Sequence, residues 1–315
     1  MLHYLQSKGK FLYIFLFIIG LCLGMYFLVA RNATNTVKRA ILQRQQILVR
    51  AESGNITSFF QVFGDSIAFL SQLPTIWKLD ANTAKDLDIF VEQWRDSGVV
   101  SGIALTDSKG IVLFNSNIEG THDTGISLSD RDYFIWAKQK PKDSEYFVGK
   151  PVVSRLGASK GGMIVPVASA IYNNGVLKGV LVASVRLDSL TKNYIDLMQV
   201  SDLTEVYLLD QSGKVIYKNN ATNTLPDGHE FSSHLEKILK HKEEGKLESD
   251  EHLLAYSNIG LNDQNWLLIM ATPTYEVSTH TAPINLRLII LAVMISVAVL
   301  FHGVINVKKE TEILK

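Results

Sequence analysis

Residues 11–30, "FLYIFLFIIGLCLGMYFLVA", hold twenty positions without a charge, and residues 288–307, "LIILAVMISVAVLFHGVINV", repeat the theme with His302 and Asn306 held near the far end. As helices rising about 1.5 Å per residue, each covers about 30 Å, the hydrocarbon thickness of a bilayer. A cleaved leader has an apolar stretch of only about 7–15 residues before an A-x-A-like site, and "FLVARNA" fits that poorly. We therefore read a retained transmembrane helix at 11–30 and a second at 285–307. Everything between them must fold as a body tethered at both ends.

Near-membrane lysines and arginines in short segments set orientation, because long loops translocate largely regardless of charge. Lys8 and Lys10 precede the first run, and Lys308 and Lys309 follow the second. The expected topology has residues 1–10 and 308–315 in the cytoplasm and residues 31–282 outside the membrane. Lys plus Arg equal Asp plus Glu at 31 each, and no basic stripe or motif is present, so nucleic acid is excluded as a partner. The single cysteine, Cys22, lies within the first run and does not identify the compartment.

The outer part reads as an α+β body. Ile56, Phe59, Phe60, Phe63, Ile67 and Leu70 recur at helical spacing and predict a long helix over 31–73, ended by Pro74, with a core-facing stripe. A second helix is expected over 83–98, closed by Gly98. Then comes a repeat: "IALTDSKGIVLFNS" (103–116) is echoed by "VYLLDQSGKVIYKN" (206–219), with Asp107 over Asp210 and Gly110 over Gly213 at one offset of 103 residues. Each copy predicts two strands joined by a D-x-x-G turn, in which Asp accepts local backbone N–H groups and Gly takes a positive φ.

After the first copy, "SDRDYFIWAKQK" (129–140) predicts a helix capped by Ser129. Strands follow at 145–154, 162–172 and 175–187, the last two joined by Asn173-Asn174-Gly175 as a hairpin turn, then a linking helix at 189–200. After the second copy we expect a helix at 231–246 and strands at 252–260 and 265–273. Two modules result, a distal one over about 80–187 and a proximal one over about 200–275.

In order and spacing, "SDRDYF", "VGKPVVS", "VPVASAIYNNGVLKGVLVASVRL", "LLDQSGKVIYKN" and "NWLLIMATP" resemble the double Cache sensor domains of bacterial transmembrane receptors, over about residues 35–280. The resemblance implies two tandem PAS-like antiparallel-sheet modules on a long N-terminal helix, flanked by two transmembrane helices. It implies signal transduction, with a small molecule bound between the helix and the sheet face of the distal module. In amino-acid-binding relatives that helix carries an Arg-x-Trp-Tyr pattern, matched here by Arg131, Tyr133 and Phe134. Arginine beside aromatic rings also suits a carboxylate on its own chemistry, through bidentate hydrogen bonds. Those relatives hold the amino group with strand aspartates, whose places are taken here by Ser154 and Ser184, so a dicarboxylate or other small anion competes with a free amino acid. Trp136 and Tyr146 complete the ligand-binding candidates. No cofactor is expected, and a homodimer is.

Other chemistry is weaker. His229, His234, His241 and His252 cluster in sequence, but only His234 and His241 share a helix face, short of the three or four ligands zinc wants. "GASKGG" (157–162) lacks phosphate-loop spacing and reads as a turn between strands. No catalytic motif is recognisable, so the chain is not expected to be an enzyme itself. The Lys- and Glu-rich "NVKKETEILK" (306–315) is similar to the connector that leads into the catalytic domain of membrane diguanylate cyclases. That makes the chain an expected input part of such a receptor, with chemoreceptor, histidine kinase or stand-alone sensor subunit as alternatives.

Overall fold

The computed structural model describes residues 2–313 except 80–81, 140–144, 199, 202, 220–237, 239–243 and 263, with residues 2–12, 14, 306–307 and 310–313 described by backbone alone. Its contacts divide the chain into two units: residues 45–246 with 254–271, and residues 1–44, 247–253 and 272–315.

The expected first span and long helix are one element, α1 (Leu2–Ser71). It stops three residues before Pro74, which opens the five-residue α2 (Pro74–Lys78) at a position where its missing N–H costs nothing. α3 (Thr83–Arg95) follows, with Gly98 at φ +65° just beyond it. The last helix, α6 (Tyr275–Ile313), contains the second apolar run. α1 and α6 are both long and apolar enough to cross a membrane.

The larger unit contains two antiparallel sheets. The distal sheet has β1 (Val100–Thr106), β2 (Val112–Asn117), β3 (Phe147–Val148), β4 (Val152–Val153), β5 (Met163–Asn173) and β6 (Val176–Arg186) in the order β2-β1-β6-β5-β3, with β4 also paired to β5. After α5 (Leu187–Tyr194), the proximal sheet runs β8-β7-β11-β10-β9, from β7 (Glu205–Leu209), β8 (Val215–Lys218), β9 (Gly245–Glu248), β10 (His252–Leu261) and β11 (Gln264–Pro273). The two orders are the same: an outer hairpin, then the last strand, then the one before it, then an edge strand.

The repeat is exact down to its irregularities. Asp107 Oδ1 accepts from the N–H of Lys109 and Ile111 at 2.8 Å each, and Asp210 Oδ1 accepts from Ser212 at 2.8 Å and Lys214 at 3.0 Å. Gly110 and Gly213 sit at φ +87° and +85°. Each hairpin carries a register shift, between Leu105 and Thr106 and between Leu208 and Leu209, again 103 residues apart.

The core is organised by α1. Ile56, Phe60, Phe63 and Ile67 are buried with Leu70, and each such side chain contributes about 1.5–3 kcal/mol. Phe63 stacks edge-on against Trp94 at 4.8 Å between ring centres, and Phe60 meets Trp266 at 5.8 Å, so one stripe serves both modules. Ile103 and Leu105 of β1, and Val206 and Leu208 of β7, belong to the same core. The alternate residues of β1 and β7 face the other way, as strand periodicity requires.

Two expectations are corrected. The strand expected at 145–154 is broken into two pairs by Gly149-Lys150-Pro151. The helix expected over 231–246 falls mostly outside the described residues, and its last two positions, Gly245 and Lys246, open strand β9. "GASKGG" includes a short 3₁₀ turn, Gly157–Ser159, between β4 and β5. His229, His234 and His241 lie outside the described residues.

In the smaller unit, Leu42, Leu253 and Val277 form a compact cluster with Val37 and Ile41 packed on it, and Lys38 Nζ lies 2.6 Å from Glu248 Oε1.

Candidate functional site

The face of the distal sheet turned away from α1 is covered by α4 (Asp132–Ala137). This helix is shorter than expected: Ser129 does not cap it, and Arg131 occupies the cap position with extended backbone (φ −79°, ψ 144°) and no side-chain cap. The reason lies next door. Asp130 gives both carboxylate oxygens to Arg155, at 2.6 Å each, and the Ser129 hydroxyl lies 3.0 Å from that of Ser127. Arg131 therefore stands just outside the helix rather than in its first turn.

The hairpin turn positions this entry. Leu128 N–H donates to Gly110 O at 2.8 Å, and a Cβ on Gly110 would lie 2.8 Å from the Ser129 Cα. The turn glycine thus supplies positive φ and also the space that lets segment 128–131 lie across it. Phe134 and Ala137, both fully buried, anchor α4 on the sheet.

A cleft lies beside this entry. Its floor comes from neighbouring positions of β1 and β6: Ala104 opposite Val182, with Ser184 two residues on. Leu128, Arg131 and Tyr133 form one wall, and Val152, Ser154, Arg155, Leu156 and Ile164 the other. The free volume is only about 20 Å³, enough for roughly one water. Its polar groups are partly spent on the protein: Arg131 Nη2 donates to Val153 O at 2.8 Å, and Ser154 Oγ donates to Leu156 O at 2.9 Å. Tyr133 is only 5% exposed. Burial pushes that phenol well up, against the opposing charges of Arg131 and Arg155. The Asp130 carboxyl is held down at about 2, chiefly by its hydrogen bonds from Arg155.

Of the sequence candidates, Arg131, Tyr133, Ser154 and Ser184 are brought together here. Three are not among the lining residues. Phe134 is in the core beneath α4, Trp136 packs on Phe147 at 5.3 Å between ring centres, and Tyr146 lies over Gly64 of α1, where no Cβ would fit. Arg155 is the lining side chain that sequence reasoning missed; its signal was a lone arginine directly after Ser154, between a stretch read as strand and one read as turn.

Two PAS-like modules on one helical spine, with a polar cleft under the distal helix, define a ligand-sensor domain. The chain belongs to the Cache domain family, whose double-Cache profile matches residues 33–281. No curated protein matches it. Among solved structures, the extracellular domain of histidine kinase vpHK1S-Z8 is similar at TM-score 0.59 and 17% identity, covering 80% of this chain and 96% of that one. A domain of a sensory box/GGDEF family protein from Vibrio parahaemolyticus gives 0.58 and 16%, covering 78% and 99%. The sensory domain of the Campylobacter jejuni chemoreceptor Tlp3, with isoleucine bound, gives 0.56 and 12%, covering 78% and 98%. At these identities the likeness is one of fold. The Cache domain and the two apolar helices together suggest a membrane protein.

Proposed function

We propose that the chain is the input part of a transmembrane signalling receptor that recognises a small carboxylate-bearing molecule outside the cell, in the distal cleft. The observation that carries this reading is the cleft's polar inventory. Two arginines and Tyr133 line it, and no carboxylate is among its lining residues. A ligand carboxylate would replace the Val153 carbonyl as the acceptor of Arg131, exchanging a neutral acceptor for a charged one. The Tlp3 structure holds isoleucine, but an amino acid's ammonium would meet only hydroxyls at Ser154 and Ser184 here.

With room for about one water, the cleft must open for a ligand. The wall best placed to move is β4, held to β5 by only two residue pairs, Val152–Ile164 and Val153–Met163. A ligand that binds the opened arrangement better than the closed one shifts the population between them, and that bias is the signal. The flanking lysines place both ends in the cytoplasm by the positive-inside rule. Similar sensor folds occur in a histidine kinase, a GGDEF-family protein and a chemoreceptor, and the connector-like "NVKKETEILK" leads us to favour a diguanylate cyclase output. Pairing of two copies along residues 31–73 would cover Ile47, Val62 and Phe69, which are 58–68% exposed.

The reading is tested by titrating small carboxylates into the whole protein in lipid nanodiscs. Arg131→Ala should weaken binding by about 2–5 kcal/mol, the usual loss on truncating one side of a buried charged pair, with the unliganded melting temperature unchanged. Wild-type binding by that variant would overturn the assignment. For topology, reporters fused at residue 5 and after Lys315 should read cytoplasm and one at residue 225 should read outside; an exported C-terminal reporter ends the two-span reading.

A further inference from the structure

The distal cleft contains a second cation that the Arg131 contact does not use. Arg155, two residues past β4, also lines it, with Nη1 and Nη2 each 2.6 Å from an Asp130 oxygen and Nη1 3.1 Å from Ser127 O. The pair is open to water, with side chains 40% and 59% exposed, and such exposed pairs are weak because water screens them. It is therefore a readily exchanged contact that keeps Arg155 oriented while a carboxylate of the protein's own satisfies it. Arg131, Tyr133 and Arg155 all line this one cleft, so the two guanidiniums belong to the same site.

A single carboxylate would satisfy only one of these cations. Beside Tyr133, Ser154 and Ser184, the rest of the lining is apolar, from Ala104, Leu128, Val152, Leu156, Ile164 and Val182, which suits a short hydrocarbon link. We infer that the ligand is a short dicarboxylate, one end held by Arg131 and the other by Arg155, which leaves Asp130 for the ligand. The inference rests on reading the cleft as the sensory site, and it names the ligand's class. Asp130 is then a built-in competitor: it occupies Arg155 until a stronger, doubly anchored anion displaces it.

The test compares succinate with butyrate, which matches its chain length but has one carboxylate, by calorimetric titration of the whole protein in nanodiscs. Succinate should bind at least about tenfold tighter, and Arg155→Gln should erase that advantage while leaving butyrate within about twofold of wild type. Asp130→Asn should tighten succinate binding about two- to fivefold, since the competing ion pair it removes is a weak one. Equal binding of the two acids, no succinate binding, or an Arg155→Gln variant that weakens both alike would overturn the inference. The underlying reading fails by a different result, namely carboxylate binding that is indifferent to Arg131→Ala. Should another carboxylate bind through Arg131 while succinate does not, the sensory site stands and the dicarboxylate does not.

Discussion

The two modules share strand order, turn chemistry and bulge position, yet at one equivalent site they differ completely. The distal β1 presents Ala104 to the face turned away from α1, opposite Val182; the proximal β7 presents Tyr207 there, opposite Ile269. Tyr207 is fully buried, its hydroxyl donates to Glu205, and Lys218 lies 5.2 Å above its ring and 3.0 Å from Glu205 Oε1. Burial first, and then the Glu205 hydrogen bond, push that phenol far above its ordinary range. A scaffold duplicated in one chain thus has one copy with a small-residue floor and the other plugged by its own aromatic ring. The two copies differ in what one strand residue leaves empty rather than in the topology around it.

The comparison can be broken most forcefully from the proximal side. Tyr207→Ala should cost about 3–5 kcal/mol in chemical denaturation, as large aromatic truncations do, because it leaves both a cavity and a disturbed Glu205–Lys218 pair. Tyr207→Phe, which keeps the volume, should cost only about 1 kcal/mol. Equal losses for the two would mean that the hydroxyl network, and not the filled space, distinguishes the modules. On the distal side, Ala104→Tyr should import the plug and lower carboxylate affinity about a hundredfold, about 2.7 kcal/mol, with an overpacking cost of about 1–3 kcal/mol in stability. Retained binding would show that Ala104 is not the floor.

The smallest effect concerns Asp130, which has no ionisable counterpart at Ser233 by the 103-residue offset. Its folded pKa lies below its ordinary value, so the stability it contributes is fully present above the unfolded value near 3.8 and is lost as pH falls through about 2. An NMR titration of the Asp130 carboxyl should find its midpoint near 2, and Arg155→Gln should return it toward 3.8. An unchanged midpoint in the variant would mean that Arg155 is not what holds it down.

Much of this was legible in the sequence, for identifiable reasons. The D-x-x-G turns were readable because Asp and Gly each perform a local job that few residues can share. The stripe from Ile56 to Leu70 was readable because helical periodicity survives whatever it packs against. The entry to α4 was misplaced because Ser129 and Asp130 have the composition of a cap, while the actual partner of Asp130, Arg155, lies 25 residues away. Tyr146 was drawn into the site by its aromatic character, and only the fold reveals that its ring sits on Gly64. Arg155 stayed hidden for the converse reason, since nothing local marks an arginine that acts across a turn.

β3 is the outer strand of the distal sheet, and an outer strand with open backbone acceptors is a template for another chain. Here Asn262 Nδ2, in the turn between β10 and β11, donates to Tyr146 O at 3.0 Å, and Gln264 Nε2, at the start of β11, donates to Val148 O at 2.8 Å. Alternate carbonyls, the two that point outward, are thus capped by side-chain amides of the neighbouring module. The proximal hairpin acts as a sheath: it occupies the positions at which an extended segment would have to add, and so protects the distal sheet from edge-to-edge aggregation.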